Sequence, residues 1–472
     1  MENIAAFTLT IDGKAVETAR TLTVENPATG TRIASVPAAG PAELDAAIAS
    51  ARAAWKDWSA QSLGARRACI EALAAAIAAE AGELARLLTA EQGKPLADAM
   101  MEIQGGAYLL GANASLDIPR VILSDTPERR VEAVRVPLGV VGAIVPWNFP
   151  FALAIMKIGP AMLAGNCVIL KPSPFTPLTS LRLGEIARRI LPPGVLNVIS
   201  GDDALGPLMT EHEGIDKITF TGSTATGKRV MAGAAKSLKR VTLELGGNDA
   251  AIVLPDFDIA SQVEPLFWAA FQNAGQVCMA SKRIYIHASI YDQVRDALVA
   301  YARTVRVGNG AEEGIRIGPI NNRPQYERVV DLIADCKAQG HSFAIGGDTD
   351  TSPGLFVPVT IIDNPPDASR IVAEEQFGPV VPLLKYDSTK DVIARANASP
   401  YGLGASVWGR DAEEAQAVAE QIDTGVAWIN EAQFLPPEAS FGGRKQSGIG
   451  VEGGAAGLIE FTSLKTIVLK KL

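Results

Sequence analysis

The chain of 472 residues contains only four cysteines and three histidines, and no two cysteines stand in a CxxC spacing. This scarcity argues against a structural zinc site and against a disulfide framework. Runs rich in Lys or Arg are also lacking, and the formal net charge is −9. Such a balance disfavours nucleic acid or an anionic membrane surface as the main partner. These absences predict a small-molecule partner and a reducing compartment.

No secretory signal is visible, because the N-terminus has no basic segment followed by an apolar core, and we predict a cytoplasmic location. The uncharged stretch 138–156 is long enough to cross a membrane as a helix. Pro146 and Pro150 argue against that, since lipid offers no partner for the backbone groups that a broken helix frees. We expect a buried strand followed by a functional loop.

The hydrophobic pattern predicts an α/β fold with a boundary near residue 247. Apolar residues at helical spacing predict two or three helices over residues 42–92. Short apolar runs then alternate with helical segments on both sides of residue 247, which is typical of parallel βαβ units. Residues 116–137 and 466–472 alternate polar and apolar side chains, and we expect them to be exposed strands that pair with another subunit.

Cys278 is the strongest candidate nucleophile. It follows Gly275 and Gln276, which leave room for a substrate, and a thiol is intrinsically nucleophilic at neutral pH. A buried structural cysteine is the alternative, and we keep that interpretation for Cys69, Cys167 and Cys336. The surrounding pattern Phe-x-Asn-x-Gly-Gln-x-Cys favours catalysis for Cys278.

Two polar residues are candidates to assist this thiol. Glu244 ends an apolar run before a Gly-Gly turn, where partial burial would raise its pKa and suit it to activate water. Asn148 is an amide in the apolar stretch Pro-Trp-Asn-Phe-Pro, and its NH₂ could donate to an oxyanion. The alternatives are a surface carboxylate beside a turn and an amide satisfied by its own loop.

A glycine-rich segment indicates a nucleotide site. Residues 220–228 follow a predicted strand and open a helix, so their backbone N–H groups could face a pyrophosphate, although they match neither GxGxxG nor a P-loop. Lys171 ends another strand and is a candidate for ribose hydroxyls or a phosphate. A solvated lysine is the alternative.

Together these motifs resemble the NAD(P)-dependent aldehyde dehydrogenase superfamily, from Asn26-Pro-Ala-Thr-Gly30 to Gly442-Gly-Arg-Lys-Gln-Ser-Gly448. The resemblance implies two Rossmann-like parallel α/β domains plus a β-strand oligomerisation arm. It implies a cofactor-binding domain over residues 1–116 and 138–247, a catalytic domain over 248–445, and an arm over 117–137 and 455–472. It also implies a homodimer or homotetramer.

The resemblance further implies that Cys278 forms a thiohemiacetal and then a thioester, with the oxyanion held by Asn148 and water activated by Glu244. Lys157 and Glu452 would relay protons. The implied cofactor contacts are Val145, Pro146, Trp147, Lys171, Ser173, Phe220, Gly222, Ser223, Gly227, Leu245, Glu375 and Phe377. The implied substrate contacts are Phe149, Leu153, Met156, Val277, Met279, Phe434 and Phe441. Because these substrate contacts are apolar, an aliphatic or aromatic aldehyde is expected.

Two positions depart from the family pattern. Many NAD-dependent members have a glutamate where this chain has Pro174, so NAD is expected as the commoner cofactor while NADP stays open. Asn248-Asp249 stands where a lysine is usual, and the sequence offers no functional account of it. Two alternative functions also stay open. One is a CoA-acylating relative, which the presence of Glu244 disfavours, and the other is a non-catalytic nucleotide-binding paralogue.

Overall fold

The computed structural model describes residues 6–348 and 353–471. Its N-terminal part consists of short strands followed by helices: β1 (Leu9–Ile11), β2 (Lys14–Val16), β3 (Thr21–Glu25), β4 (Arg32–Pro37), α1 (Pro41–Ala60), α2 (Leu63–Ala79), α3 (Ala81–Gln92) and α4 (Leu96–Ala114). The prediction of two or three helices over residues 42–92 is confirmed by α1 to α3. Helix α2 begins where the Ser62 hydroxyl accepts a hydrogen bond from the Ala65 N–H at 3.2 Å.

The middle part begins with a hairpin and then alternates strands and helices. Its elements are β5 (Val121–Asp125), β6 (Arg129–Pro137), β7 (Val140–Ile144), α5 (Pro150–Leu163), β8 (Cys167–Lys171), α6 (Leu178–Arg188), β9 (Leu196–Val198), α7 (Leu205–Glu211), β10 (Lys217–Thr221), α8 (Thr224–Ala235) and β11 (Arg240–Glu244). The stretch 138–156 therefore contains the predicted buried strand and loop, and helix α5, which was not predicted, begins within it. Over the described parts of the chain, no helix is both long and apolar enough to cross a membrane.

The last part repeats the alternation. Its elements are β12 (Asp249–Val253), α9 (Ile259–Phe271), β13 (Ser281–His287), α10 (Tyr291–Ala302), α11 (Arg323–Ala338), β14 (Ser342–Ile345), β15 (Thr360–Asp363), α12 (Arg370–Ala373), β16 (Val380–Tyr386), α13 (Thr389–Asn397), β17 (Tyr401–Gly402), β18 (Gly404–Trp408), α14 (Ala412–Ala419), β19 (Val426–Ile429), β20 (Arg444–Lys445), β21 (Gly448–Ile449), α15 (Gly454–Ile459) and β22 (Thr462–Lys470). The predicted C-terminal strand over 466–472 starts four residues earlier, and Leu472 lies outside the described residues.

Most strands belong to two large sheets with parallel centres. The first has the order β2-β1-β9-β8-β7-β10-β11-β21, with β1, β2 and β21 pairing antiparallel. The second has the order β14-β15-β16-β13-β12-β18-β19, with β14 antiparallel at one edge. Central strands such as β7 and β12 are buried throughout, as parallel strands covered on both faces must be. The predicted α/β fold class, with two parallel sheets and a β arm, is confirmed.

The arm is a third, antiparallel sheet with the order β22-β6-β5. Strands β6 and β22 pair along their full length, from Thr462 opposite Pro137 to Lys470 opposite Arg129. Several apolar side chains of this sheet are exposed, namely Val121, Ile122, Leu123, Leu464, Ile467, Val468 and Leu469. The arm therefore presents an apolar surface that the chain itself leaves uncovered.

Candidate active site

A cavity of about 380 Å³ lies at the carboxyl ends of β7, β10 and β11, opposite the loop that follows α9. This edge of a parallel α/β sheet is where ligands usually bind. The residues that line the cavity are Pro146, Trp147, Asn148, Thr221, Gly222, Ser223, Thr224, Ala225, Leu245, Gly246, Cys278, Gln325, Arg328, Glu375, Phe377 and Tyr401. The fold thus brings residues from both large sheets to one cavity, including Cys278 and Asn148.

The loop carrying Cys278 has an unusual backbone. Asn273, Ala274 and Gly275 all have positive φ, at 50°, 56° and 70°, a conformation that costs free energy for residues other than glycine. The Gln276 side chain holds this loop, because its Nε2 donates to the Asn273 carbonyl at 2.9 Å and its Oε1 accepts from the Asn321 N–H at 2.9 Å. The loop is therefore fixed by buried hydrogen bonds, with a partly exposed Cys278 at its end.

The surroundings of Cys278 disfavour its thiolate in the absence of a ligand. Burial raises the pKa of the thiol above its usual value, and the Glu244 carboxylate raises it further, while the Lys282 ammonium opposes both effects. The thiolate is the nucleophilic form. Activation of this thiol therefore needs a base or a change in its electrostatic surroundings.

Asn148 is buried against the same loop. Its Nδ2 donates to the Gln276 carbonyl at 3.0 Å. Its backbone carbonyl accepts hydrogen bonds from Lys94 Nζ at 3.0 Å and from Asn273 Nδ2 at 3.1 Å. Because a carboxamide has two N–H donors, the bond to Gln276 leaves a second donor for an acceptor in the cavity. This geometry suits an amide that stabilises an oxyanion beside Cys278.

Glu244 ends β11 directly before Leu245, which lines the cavity. It is 2% exposed, and within the described residues neither of its carboxylate oxygens has a hydrogen-bond partner. Burial raises the pKa of Glu244 well above its usual value, the Glu452 carboxylate adds to this, and the Lys157 ammonium opposes it. A carboxyl group with a raised pKa and no partner is suited to accept a proton near neutral pH.

Lys157 and Glu452 form a fully buried ion pair, and both charges act on the pKa of Glu244. Thr219 joins them, since its Oγ1 donates to Glu452 Oε1 at 3.0 Å and accepts from Lys157 Nζ at 3.3 Å. Glu452 reaches this place because β21 returns to the edge of the first sheet beside β11. The two residues that the resemblance associates with proton relay are therefore brought together.

The glycine-rich segment forms a strand, a turn and a helix, as predicted. Ser223 caps α8, and its hydroxyl accepts a hydrogen bond from the Thr226 N–H at 3.2 Å. A side chain on Gly227 would collide with Leu245, because the Cβ would lie 2.4 Å from a Leu245 methyl group. Close packing of α8 on Leu245 thus directs the positive end of the helix dipole towards the cavity.

Nine of the predicted site residues are among those that line the cavity: Pro146, Trp147, Asn148, Gly222, Ser223, Leu245, Cys278, Glu375 and Phe377. Other cofactor candidates do not line it, namely Val145, Lys171, Ser173, Phe220 and Gly227. Of these, Lys171 is buried, and burial lowers the pKa of its ammonium, while Asp203 and Asp202 oppose that effect. Lys171 is therefore not a solvated surface lysine.

The predicted substrate residues do not line this cavity. They are Phe149, Leu153, Met156, Val277, Met279, Phe434 and Phe441. Val277 and Phe441 are almost fully buried, whereas Phe434 is 59% exposed. Phe149 packs under Lys94, whose Nζ lies 3.7 Å from the centre of the ring. Their assignment to a substrate tunnel remains a prediction.

Seven cavity residues are not among the predicted site residues: Thr221, Thr224, Ala225, Gly246, Gln325, Arg328 and Tyr401. Gln325 and Arg328 stand one turn apart on α11, and both donate hydrogen bonds to the loop that carries Glu375. Spacing along α11 alone could not have revealed this role, since the contact joins segments about fifty residues apart. A buried lysine, Lys282, was also missed.

Comparison with known proteins agrees with this arrangement. The sequence model of the aldehyde dehydrogenase family matches residues 15–467. A probable aldehyde dehydrogenase from Pseudomonas sp. is 42% identical, with coverage of 100% of this chain and 96% of the relative. Phenylacetaldehyde dehydrogenase of Pseudomonas fluorescens is 38% identical (95% and 93% covered). Mitochondrial succinate-semialdehyde dehydrogenase of rice is 36% identical (98% and 87% covered).

Solved structures are similar along the whole chain as well. The NAD⁺ complex of an aldehyde dehydrogenase from Bacillus cereus has a TM-score of 0.95 at 36% identity, with coverage of 98% of this chain and 96% of that chain. An NADP-dependent enzyme of E. coli has a TM-score of 0.96 at 34% identity, with coverage of 99% and 98%. These two neighbours share the fold and differ in the cofactor named for them.

Proposed function

Because the chain belongs to the aldehyde dehydrogenase family, we propose that it oxidises an aldehyde to the carboxylic acid with NAD(P) as acceptor and Cys278 as nucleophile. One observation carries this proposal. The Cys278 thiol and the Asn148 amide line the same cavity, and the unpartnered Glu244 carboxylate precedes a third lining residue. Nucleophile, oxyanion donor and general base are thus grouped at the edge of the sheet where ligands bind.

In the first step, the Cys278 thiol loses its proton to solvent in the cavity, and the resulting thiolate attacks the aldehyde carbon. The carbonyl oxygen becomes an oxyanion, which receives hydrogen bonds from the Asn148 amide and the Cys278 backbone N–H. Gln276 supports this geometry, since its carbonyl holds one N–H of Asn148. The same residue fixes the thiol-bearing loop through its side chain. The chain therefore orients both groups before the substrate arrives.

The residues around the cavity fit a dinucleotide. The turn from Gly222 to Ser223 opens α8 towards the cavity, and the buried Thr221 Oγ1 has no partner among the described residues. Glu375 and Phe377 also line the cavity, where they would hold the nicotinamide ribose and ring. Held there, NAD(P) would supply a hydride acceptor, and oxidation of the carbon attached to Cys278 would leave a thioester on that residue.

Glu244 then acts on water. It takes a proton from the water that attacks the thioester carbon, and the Cys278 sulfur leaves as the acid is released. Its raised pKa favours the accepted proton, while the buried pair of Lys157 and Glu452 offers a path for that proton to leave. A CoA-acylating enzyme would have no use for this base.

The cofactor is NAD or NADP, and we favour NAD. Because residue 174 is a proline, no carboxylate at that position would exclude the 2′-phosphate of NADP. Asp202 and Asp203, however, act on the ammonium of Lys171, the proposed ribose ligand. Acidic side chains at that site disfavour a further phosphate. Comparison of Kd for NAD and NADP tests this preference.

We propose an apolar aliphatic or aromatic aldehyde as substrate. The support is the apolar character of all seven substrate candidates, which bind by area and discriminate weakly between chain lengths. One relative is named for an aromatic aldehyde and another for an acidic aldehyde. Similarity to them therefore does not distinguish an apolar from an acidic substrate. A far higher kcat/KM for succinic semialdehyde than for a medium-chain or aromatic aldehyde would contradict this assignment.

The experiment that tests the function is an absorbance screen at 340 nm. Purified protein is mixed with NAD or NADP and a panel of aliphatic, aromatic and acidic aldehydes, with and without coenzyme A. Reduction without coenzyme A supports the hydrolytic reaction, and reduction that requires coenzyme A supports the acylating alternative. No reduction under any condition would favour a non-catalytic paralogue.

The domain division, assembly and location are further parts of the proposal. Strand β11 belongs to the first sheet and β12 to the second, which supports a boundary near residue 247 between cofactor and catalytic domains.

The exposed apolar side chains of the arm support pairing across a homodimer or homotetramer. All four cysteines are free, which supports a reducing compartment and a cytoplasmic location. Sedimentation at several protein concentrations tests the assembly.

A further inference from the structure

Lys282 is a buried lysine that neither the sequence motifs nor the proposed mechanism uses. It is 3% exposed and lies in β13, four residues after Cys278. Its Nζ donates to the backbone carbonyl of Val277 at 2.9 Å and also to the carbonyl of Cys278. The ammonium therefore binds the loop at the nucleophile itself rather than through an intermediate residue.

The same ammonium contacts the wall of the cavity proposed to hold the nicotinamide. Lys282 Nζ lies 3.4 Å from Glu375 Oε1 and 5.9 Å from the centre of the Phe377 ring. Glu375 Oε1 also accepts a hydrogen bond from the Gly247 N–H at 3.0 Å. A Cβ on Gly246 would lie 2.4 Å from the other carboxylate oxygen, so this glycine leaves room for Glu375.

A second buried carboxylate, Asp249, belongs to the same group. A Cβ on Gly247 would lie 2.7 Å from Asp249 Oδ1 and 2.7 Å from the Cys278 carbonyl that Lys282 binds. Burial raises the pKa of Asp249 to about 7, and Lys282 opposes that rise. The Asn248-Asp249 departure therefore has a structural counterpart, because the positive charge of Lys282 acts on the buried Asp249 carboxyl group.

We propose that Lys282 is a positioning residue that joins the Cys278 loop to Glu375, so that one ammonium sets both the thiol geometry and the cofactor-binding carboxylate. The inference rests on the proposed function, since it takes Glu375 as the ribose ligand and Cys278 as the nucleophile. Two backbone carbonyls accept hydrogen bonds from the ammonium, and the Glu375 carboxylate forms an ion pair with it. Movement of Glu375 on cofactor binding would therefore be transmitted to the loop.

Lys282→Met tests this role, because it removes the charge and keeps a side chain of similar length. Without Lys282, the Glu375 carboxylate loses its ion-pair partner, and we expect Kd for NAD to rise about tenfold, because a largely buried carboxylate then lacks a countercharge. We also expect the pH profile of Cys278 alkylation by iodoacetamide to move to higher pH. The groups that act on this thiol are Glu244, Asp249, Glu375 and Lys282, and the variant keeps only the three carboxylates.

A double-mutant cycle tests whether Lys282 affects NAD binding through Glu375. Glu375→Gln alone should weaken NAD binding, and adding Lys282→Met should then change Kd by less than about twofold, because the partner is already lost. Lys217→Met is the matched control. Lys217 is also fully buried and donates to Thr242 Oγ1 at 2.6 Å, but it lies outside the cavity lining. The Lys217→Met variant should have a lower Tm. Its Kd for NAD and its pH profile of Cys278 alkylation should both be unchanged.

Several outcomes would overturn the proposal. An unchanged Kd with an unmoved alkylation profile in Lys282→Met would do so, as would equal effects in Lys217→Met. Lys282→Gln replaces the methionine variant if that one does not fold. If neither folds, an alkylation profile in Glu375→Gln that matches the wild type overturns it. Alkylation of the Cys278→Ala variant measures the contribution of the other thiols, which is subtracted from each profile. Neither readout requires turnover, so failure to oxidise any aldehyde would leave this test valid.

Discussion

Substitution of Glu244 by glutamine should separate the two halves of the reaction. The change keeps the size of the side chain and removes the base that activates water, which is usually worth about 100- to 10,000-fold in rate. That range corresponds to about 2.7–5.4 kcal/mol of activation free energy. Hydride transfer precedes this step, so the variant should still release a burst of about one NADH per site before the slow phase.

The same substitution should alter stability in a direction set by burial. Glu244 has a raised pKa in the folded protein. A carboxyl group of this kind contributes stability that is fully present below the unfolded pKa and is lost as pH rises through the folded pKa. The wild type should therefore lose stability relative to Glu244→Gln as pH rises above about 4. The difference in Tm between variant and wild type should grow between pH 5 and pH 8.

Rapid mixing at 340 nm and thermal denaturation across pH measure the two effects. Glu91→Gln is the control, because Glu91 is also buried with a raised pKa but accepts hydrogen bonds from the Leu178 and Thr179 N–H groups and the Thr179 hydroxyl. It should lower stability by about 1–3 kcal/mol and leave the burst intact. A Glu244→Gln variant with normal steady-state turnover, or one that loses the burst as well, would refute the assigned role.

Three further predictions follow from the site and the arm. Cys278→Ala should abolish aldehyde oxidation and leave NAD binding unchanged in calorimetry, and any retained turnover would remove Cys278 as nucleophile. Asn148→Ala should slow the NADH burst by about 100- to 1,000-fold, the usual worth of one oxyanion donor, and an unaffected burst would contradict its role. Val468→Lys on the exposed arm should reduce the molecular mass found by sedimentation, whereas an unchanged mass would show that the arm does not mediate assembly.

The local pattern predicted the buried strand β7 well, because none of its residues has a polar side chain. Helix α4 was not predicted, since it contains Gly105, Gly106 and Gly111, which lower helix propensity. The structure gives a reason for one of them, because a Cβ on Gly106 would lie 3.1 Å from the Phe151 ring of α5. The two-residue strand β21 was also missed, since its pairing with β11 joins residues about 200 positions apart.

The sequence by itself determined the alternation of strands and helices, the likeness to one family, and the identity of Cys278, Asn148 and Glu244 as candidates. These features depend on residue type and short spacing, which the chain states directly. Tertiary structure alone decided that Glu244 lies unpartnered beside a buried ion pair and that Lys282 connects Cys278 to Glu375. Charges interact strongly only where folding brings them together and removes water, and no local pattern records that.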